Sequence, residues 1–140
     1  MRRPSDRSRS AAEVGRVAGF RSGLEDKIAA SLKARGVAVG YECMTLEYTL
    51  PEKVRRYTPD WRLPNGVIVE SKGRFVTADR QKMLAVKAQH PHLDIRFVFS
   101  NSNARISKQS STTYAMWCER HGFPFADRDI PDHWLKEPSK

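Results

Sequence analysis

The chain predicts an α/β fold in which helices flank a mixed β-sheet. Apolar residues recur at helical spacing near residues 24–32 and again over residues 77–89. Short β-rich apolar runs fall at residues 67–71 and 95–99, set off by turn residues. Both kinds of segment interleave along 140 residues, a length that buries one real core.

Residues 1–19, rich in Arg, Ser and Ala without an apolar period, read as a basic flexible arm able to follow a phosphate backbone. The folded domain is expected over residues 20–140. Ser22-Gly23-Leu24-Glu25 has the form of a capping box, Leu24, Ile28 and Leu32 continue it as a helix, and Gly36 stops it. Residues 37–50 read as extended, with Leu46, Tyr48 and Leu50 on one face and Thr45, Glu47 and Thr49 on the other. Pro51 and the charged run at 52–56 interrupt them. Two strands follow at 57–63 and 67–71 around Pro64-Asn65-Gly66. A helix over 77–89 presents Met83, Leu84, Val86 and Ala88, and a buried strand spans 95–99. A polar loop at 100–111 leads to a helix over 113–121, stopped by Gly122. The last residues read as short irregular pieces anchored by Trp134.

Lys and Arg outnumber Asp and Glu by 25 to 16, giving a net charge of +9, and such an excess favours polyanions, nucleic acid foremost. No stretch approaches the ~20 apolar residues of a membrane span, and the N-terminus lacks the apolar segment of a secretory signal, so a cytoplasmic protein is expected. Cys43 and Cys118 are too few for a disulfide framework and are expected to be reduced, partly buried packing residues. His90-Pro91-His92 reads as a surface turn rather than a metal pair.

The chemistry concentrates in Tyr57-Thr58-Pro59-Asp60 and Val67-Ile68-Val69-Glu70-Ser71-Lys72-Gly73. Period-two alternation puts Ile68, Glu70 and Lys72 on one strand face and turns Val67 and Val69 into the core. A two-residue Asn65-Gly66 loop would oppose Asp60 to Ser71. A three-residue Pro64-Asn65-Gly66 loop opposes it to Glu70 and suits the residues better, because Pro presets φ and Gly accepts a left-handed backbone. Adjacent carboxylates repel and call for a cation, and oxygen donors suit Mg²⁺, with Mn²⁺ as a substitute. Such an ion polarises a phosphodiester and activates water, while Lys72 orients the water or stabilises charge on phosphorus.

On these blocks, together with Phe20-Arg21-Ser22-Gly23-Leu24-Glu25-Asp26-Lys27, Gln89-His90-Pro91, Leu93-Asp94-Ile95-Arg96 and Trp134-Leu135-Lys136-Glu137-Pro138, the chain resembles the phage endonuclease I family of Holliday-junction resolvases. The resemblance implies a restriction-endonuclease-like fold in an intertwined, domain-swapped homodimer that cuts four-way and other branched DNA. It implies Asp60, Glu70 and Lys72 as catalytic, with Glu25 as a third carboxylate supplied by the partner chain. The metal set is then Asp60, Glu70, Ser71 and Glu25. Arg21, Arg74, Arg80, Lys82, Arg105 and Lys108, near the active edge or in the polar loop, are the expected DNA contacts. A cleaving subunit of a transposition or restriction system and a non-catalytic junction-binding protein are the alternative readings.

Overall fold

The computed structural model describes residues 23–50 and 53–139. The expected N-terminal arm, Ser22 of the capping box and Arg21 lie outside the described residues. The chain divides into two compact units that part between Val37 and Ala38.

In the first unit, helix α1 (Gly23–Ala34) buries Ile28 and Leu32 one turn apart. Glu25 and Asp26 stand in its first turn, where the helix dipole favours negative charge. Gly36 closes it at φ 69, and Val37 N–H returns 3.0 Å to the Leu32 carbonyl, an ending that needs a residue without Cβ strain.

The second unit is built on a five-stranded sheet. Its strands are β1 (Gly40–Tyr41), β4 (Trp61–Arg62), β5 (Ile68–Lys72), β6 (Ile95–Phe99) and β7 (Phe125–Asp127), in that spatial order. β1, β4 and β5 pair antiparallel, whereas β5, β6 and β7 pair parallel. The mixed sheet expected from the sequence is therefore present, and β5 is the strand at which the two directions meet. A separate antiparallel hairpin joins β2 (Leu46–Leu50) to β3 (Lys53–Tyr57).

Helix α2 (Thr77–Gln89) makes the parallel crossover from β5 to β6, and α3 (Tyr114–His121) precedes β7. Thr113 caps α3 by accepting from Met116 N–H at 3.1 Å, and Gly122 ends it at φ 76. The core gathers Ile68, Phe97 and Phe99 from the sheet with Phe75, Met83, Val86, Trp117 and Phe123 around them. Phe75 alone lies within 6 Å of Phe97, Phe99, Tyr114 and Trp117, ring centre to ring centre.

Several expectations need correction. Residues 37–50 are not one extended segment: Glu42 takes φ 48 and turns the chain out of β1, so β2 leaves the main sheet. Pro51 and Glu52 lie outside the described residues, but the rest of the charged run does not interrupt the strands. It forms β3, because Val54, Arg55 and Arg56 are exposed on a hairpin where charged side chains stay solvated. Thr58, Pro59 and Asp60 split the expected 57–63 strand in two. The C-terminal stretch is more regular than expected, adding β7 to the sheet edge and helix α4 (Asp132–Lys136), with Trp134 buried as foreseen. Ala88 is exposed, and Arg80 takes a buried place beside Met83 and Val86 on α2.

Cys118 is buried, and burial with the nearby Glu119 charge pushes its thiol up to about 12. Cys43 is exposed instead of partly buried, because it sits in the turn that Glu42 creates. His90 ends α2, accepts a turn bond from Leu93 N–H at 3.1 Å and meets the Glu47 carbonyl through its ring, as a surface turn would. Among the described residues no helix is long and apolar enough to cross a membrane.

Candidate active site

The hairpin joining β4 to β5 sets the site. Trp61 pairs with Val69 and Arg62 with Ile68. The ladder continues as Leu63 N–H reaches the Val67 carbonyl at 2.8 Å, leaving Pro64, Asn65 and Gly66 as the loop. Gly66 takes φ 92, and its N–H closes on the Leu63 carbonyl at 2.9 Å. This is the three-residue loop that the sequence favoured, and extending its register one step sets Asp60 opposite Glu70. Asn65 locks the turn. Its Oδ1 accepts from Val67 N–H at 3.1 Å, and its Nδ2 donates to the carbonyls of Trp134 at 2.8 Å and Glu137 at 3.0 Å.

The faces of β5 differ from expectation. Val67 and Val69 are buried as expected, but Ile68, on the face that carries Glu70 and Lys72, is buried too and joins the main aromatic core. Residues of both faces of β5 are buried, as expected where parallel strands are joined by crossovers that pack on the sheet. Glu70 and Lys72 therefore emerge where the core-side face runs out, at the strand's C-terminal end.

Each functional side chain is held by a named partner. Asp60 Oδ2 accepts from both Ser71 N–H at 3.0 Å and Ser71 Oγ at 2.9 Å. Ser71, expected among the metal ligands, thus spends its hydroxyl hydrogen on orienting Asp60. Tyr57 donates to Glu70 Oε1 at 2.7 Å, and Lys72 Nζ lies 3.6 Å from Glu70 Oε2 and 3.5 Å from Asp79 Oδ1. Asp60 and Glu70 are each 6% exposed, a depth at which uncompensated carboxylate charge is costly.

The electrostatics follow from that depth. Burial first, and the Asp60 charge second, push Glu70 up to about 7 against the pull of Lys72, the Tyr57 hydrogen bond and Lys82. Burial and the Glu70 charge lift the Tyr57 phenol well above its ordinary value, so it stays a donor. Burial alone would lower Lys72, but Glu70, Asp79 and Asp60 together raise it, so the ammonium keeps its proton. Two acids that resist sharing negative charge, presenting only oxygen, could hold a hard divalent cation.

Three residues that sequence reasoning missed belong to this constellation. Tyr57 was legible only as an aromatic before the proline, because its use depends on where β3 ends relative to β5. Asp79 is an acid in the first turn of α2, and the helix entry brings it to Lys72. Glu42 donates its N–H to the Asp60 carbonyl at 2.9 Å and brings a carboxylate oxygen within 4.8 Å of one on Asp60. Its left-handed φ of 48 is a strained backbone for a residue with a Cβ. Glu25 is buried in the first turn of α1, within the other compact unit.

The expected DNA contacts separate into kinds. Arg74, Arg105 and Lys108 are exposed. Lys82 is half-buried, with Nζ 5.7 Å from the Tyr57 ring centre. Arg80 is committed within the fold: it is 9% exposed and donates to the Phe75 carbonyl at 2.5 Å and Thr77 Oγ1 at 2.9 Å. A guanidinium so placed secures the entry to α2 and is not presented to a phosphate.

Comparison with known proteins places the chain in a family. The family described as phage endonuclease I matches residues 7–140. Endonuclease I of Escherichia phage T7 is 47% identical over 127 residues, 91% of this chain and 85% of that protein. Endodeoxyribonuclease 1 of Enterobacteria phage T3 is 49% identical over 121 residues, 86% of this chain and 80% of that protein. The chain belongs to the phage endonuclease I family.

Proposed function

We propose that this chain is an endodeoxyribonuclease that hydrolyses phosphodiesters of branched DNA with a divalent cation, Mg²⁺ by preference, at Asp60 and Glu70. The names of the phage relatives support the nuclease reading. The observation that carries the metal reading is the buried pair of acids, Asp60 just before β4 and Glu70 on β5, with Lys72 3.6 Å from Glu70.

Asp60 is the fixed ligand, its carboxylate held by two bonds from Ser71. Glu70 is the second, with one oxygen satisfied by Tyr57 and the other facing Lys72. A bound divalent cation supplies positive charge for the phosphodiester and makes water more acidic. Lys72 remains protonated, so its role is to hold the attacking water or neutralise charge gathering on the phosphate, not to remove a proton. Glu42 adds negative charge beside Asp60.

The active unit is an intertwined homodimer in which Glu25 of one chain completes the site of the other. The four-way junction is the preferred substrate, selected by shape, and the reaction takes place in the host cytoplasm. The sequence resemblance supports these three points. The deciding assay compares a four-way junction with a matched linear duplex, each with and without Mg²⁺. Cleavage of the junction only with metal is expected. Equal cutting of both substrates would remove the branch selectivity, and cutting in excess chelator would remove the metal.

A further inference from the structure

Just past the end of β5 lies a groove of about 370 Å³. Its walls carry Arg74 and Val76 on one side and Arg105, Ile106 and Lys108 on the other, with Tyr114 at its floor. No acidic residue lines it. Among the described residues, Arg74, Arg105 and Lys108 make no ion pair, unlike Lys72 and Arg96, which hold carboxylates. Three exposed cations crowding one groove repel each other unless an anion enters it.

The groove is a built feature. Its floor is fixed because Tyr114 Oη accepts from Phe75 N–H at 3.2 Å. The far wall is a loop folded back on itself: Ile106 N–H bonds the Thr112 carbonyl at 2.8 Å, Tyr114 N–H bonds the Ala104 carbonyl at 2.9 Å, and Arg105 bridges Thr113. Arg105 and Lys108 are therefore displayed from an ordered support. Val76, 42% exposed on the opposite wall, offers an apolar surface to a sugar.

We infer that this groove binds the sugar–phosphate backbone of the DNA strand beside the scissile phosphate. The inference rests on the nuclease reading and adds to it where the strand runs. Arg74 follows Lys72 by two residues, a chain distance of at most ~7 Å, so a strand engaged at Lys72 reaches the groove within about one nucleotide. Arginine forks suit phosphate oxygens in pairs, and Lys108 adds a point charge.

The test measures junction binding without metal, by fluorescence anisotropy, from about 50 to 200 mM salt. Wild type, the double variant Arg105→Gln/Lys108→Gln and the control Arg120→Gln, altered at an exposed cation on α3, are compared. Two lost phosphate contacts should lower the log–log salt slope by roughly 1.4–1.8, so that the variant loses about tenfold less affinity than wild type across that range. The control should keep the wild-type slope. An unchanged slope in the double variant, with its fold intact by circular dichroism, overturns the groove, as does an equal fall in the control. Wild-type cleavage in Mg²⁺ is scored separately. Cutting with an unchanged variant slope sinks the groove alone, and a lowered slope without wild-type cutting sinks the nuclease reading alone.

Discussion

Tyr57, at the end of the β2–β3 hairpin, donates its phenolic hydrogen to Glu70 on the main sheet at 2.7 Å, and both groups are buried. A hydrogen bond to a charged acceptor contributes about 1.5–3 kcal/mol. Tyr57→Phe should therefore slow single-turnover cleavage roughly 10- to 100-fold while leaving junction binding within about twofold. Wild-type rates across a metal titration would show that the hydroxyl does not position Glu70.

Lys72→Ala is expected to abolish detectable cleavage yet bind a four-way junction in chelator. The ammonium bridges Glu70 and Asp79, and its loss leaves the exposed cations Arg74, Arg105 and Lys108 in place. A gel assay of cutting and binding on the same preparation decides the matter. Cleavage near the wild-type rate would remove Lys72 from the mechanism.

The raised Glu70 gives metal-free protein a pH signature. Its folded value of about 7 exceeds the ordinary 4.5, so the folded state holds the proton more tightly than the unfolded one. This contribution to stability is present in full below about pH 4.5 and is lost as pH rises through 7. Glu70→Gln, which cannot ionise, should thus gain Tm over wild type between pH 5 and 8 in chelator. Added Mg²⁺ should shrink that gap by stabilising only wild type. A gap that stays constant with pH would contradict the buried, proton-hungry carboxyl.

Inactive Glu25→Ala chains mixed with inactive Asp60→Ala chains should recover cleavage through one working site per mixed dimer. Subunit exchange is checked first with chains of different mass. Exchange without recovered activity would rule out sites shared between chains.

Arg80→Ala should cost stability and leave the salt dependence of DNA binding alone. Its guanidinium satisfies the Phe75 carbonyl and Thr77 at the start of α2, and removing a buried partner costs about 1–3 kcal/mol. Thermal melts and salt titrations of one variant separate the two roles. An unchanged Tm with a shallower slope would return Arg80 to the DNA-contact set.

Much of this site was legible from local rules. Pro64-Asn65-Gly66 encodes its own turn, and the turn fixes which residue faces Glu70. The boundaries of α2 matched, its apolar period running within Thr77–Gln89. Failures came where distant parts of the chain decide. The charged run at 52–56 looks like a linker, yet Lys53–Arg56 pair with β2 together with Tyr57, because backbone bonding and Tyr57 burial outweigh charge that stays solvated. Likewise β7 is only three residues long, and its strand character comes from lying parallel to Phe97, Val98 and Phe99. Arg80 looked like any surface cation, since nothing in the sequence says that a nearby carbonyl needs its fork. Tyr57, Asp79 and Glu42 escaped notice for the same reason.

The Asn65 amide holds two carbonyls from the C-terminal end of the chain, while its neighbour, Gly66, has no side chain to shield the backbone nitrogen that can attack the Asn65 side-chain carbonyl carbon. Asn–Gly steps age by ring closure and loss of ammonia, turning the amide into an acid. Here that change would replace a donor with an oxygen facing the Trp134 and Glu137 carbonyls. Stored protein should thus lose the brace on its hairpin one molecule at a time, and the fraction still active would track a gain of one mass unit at residue 65.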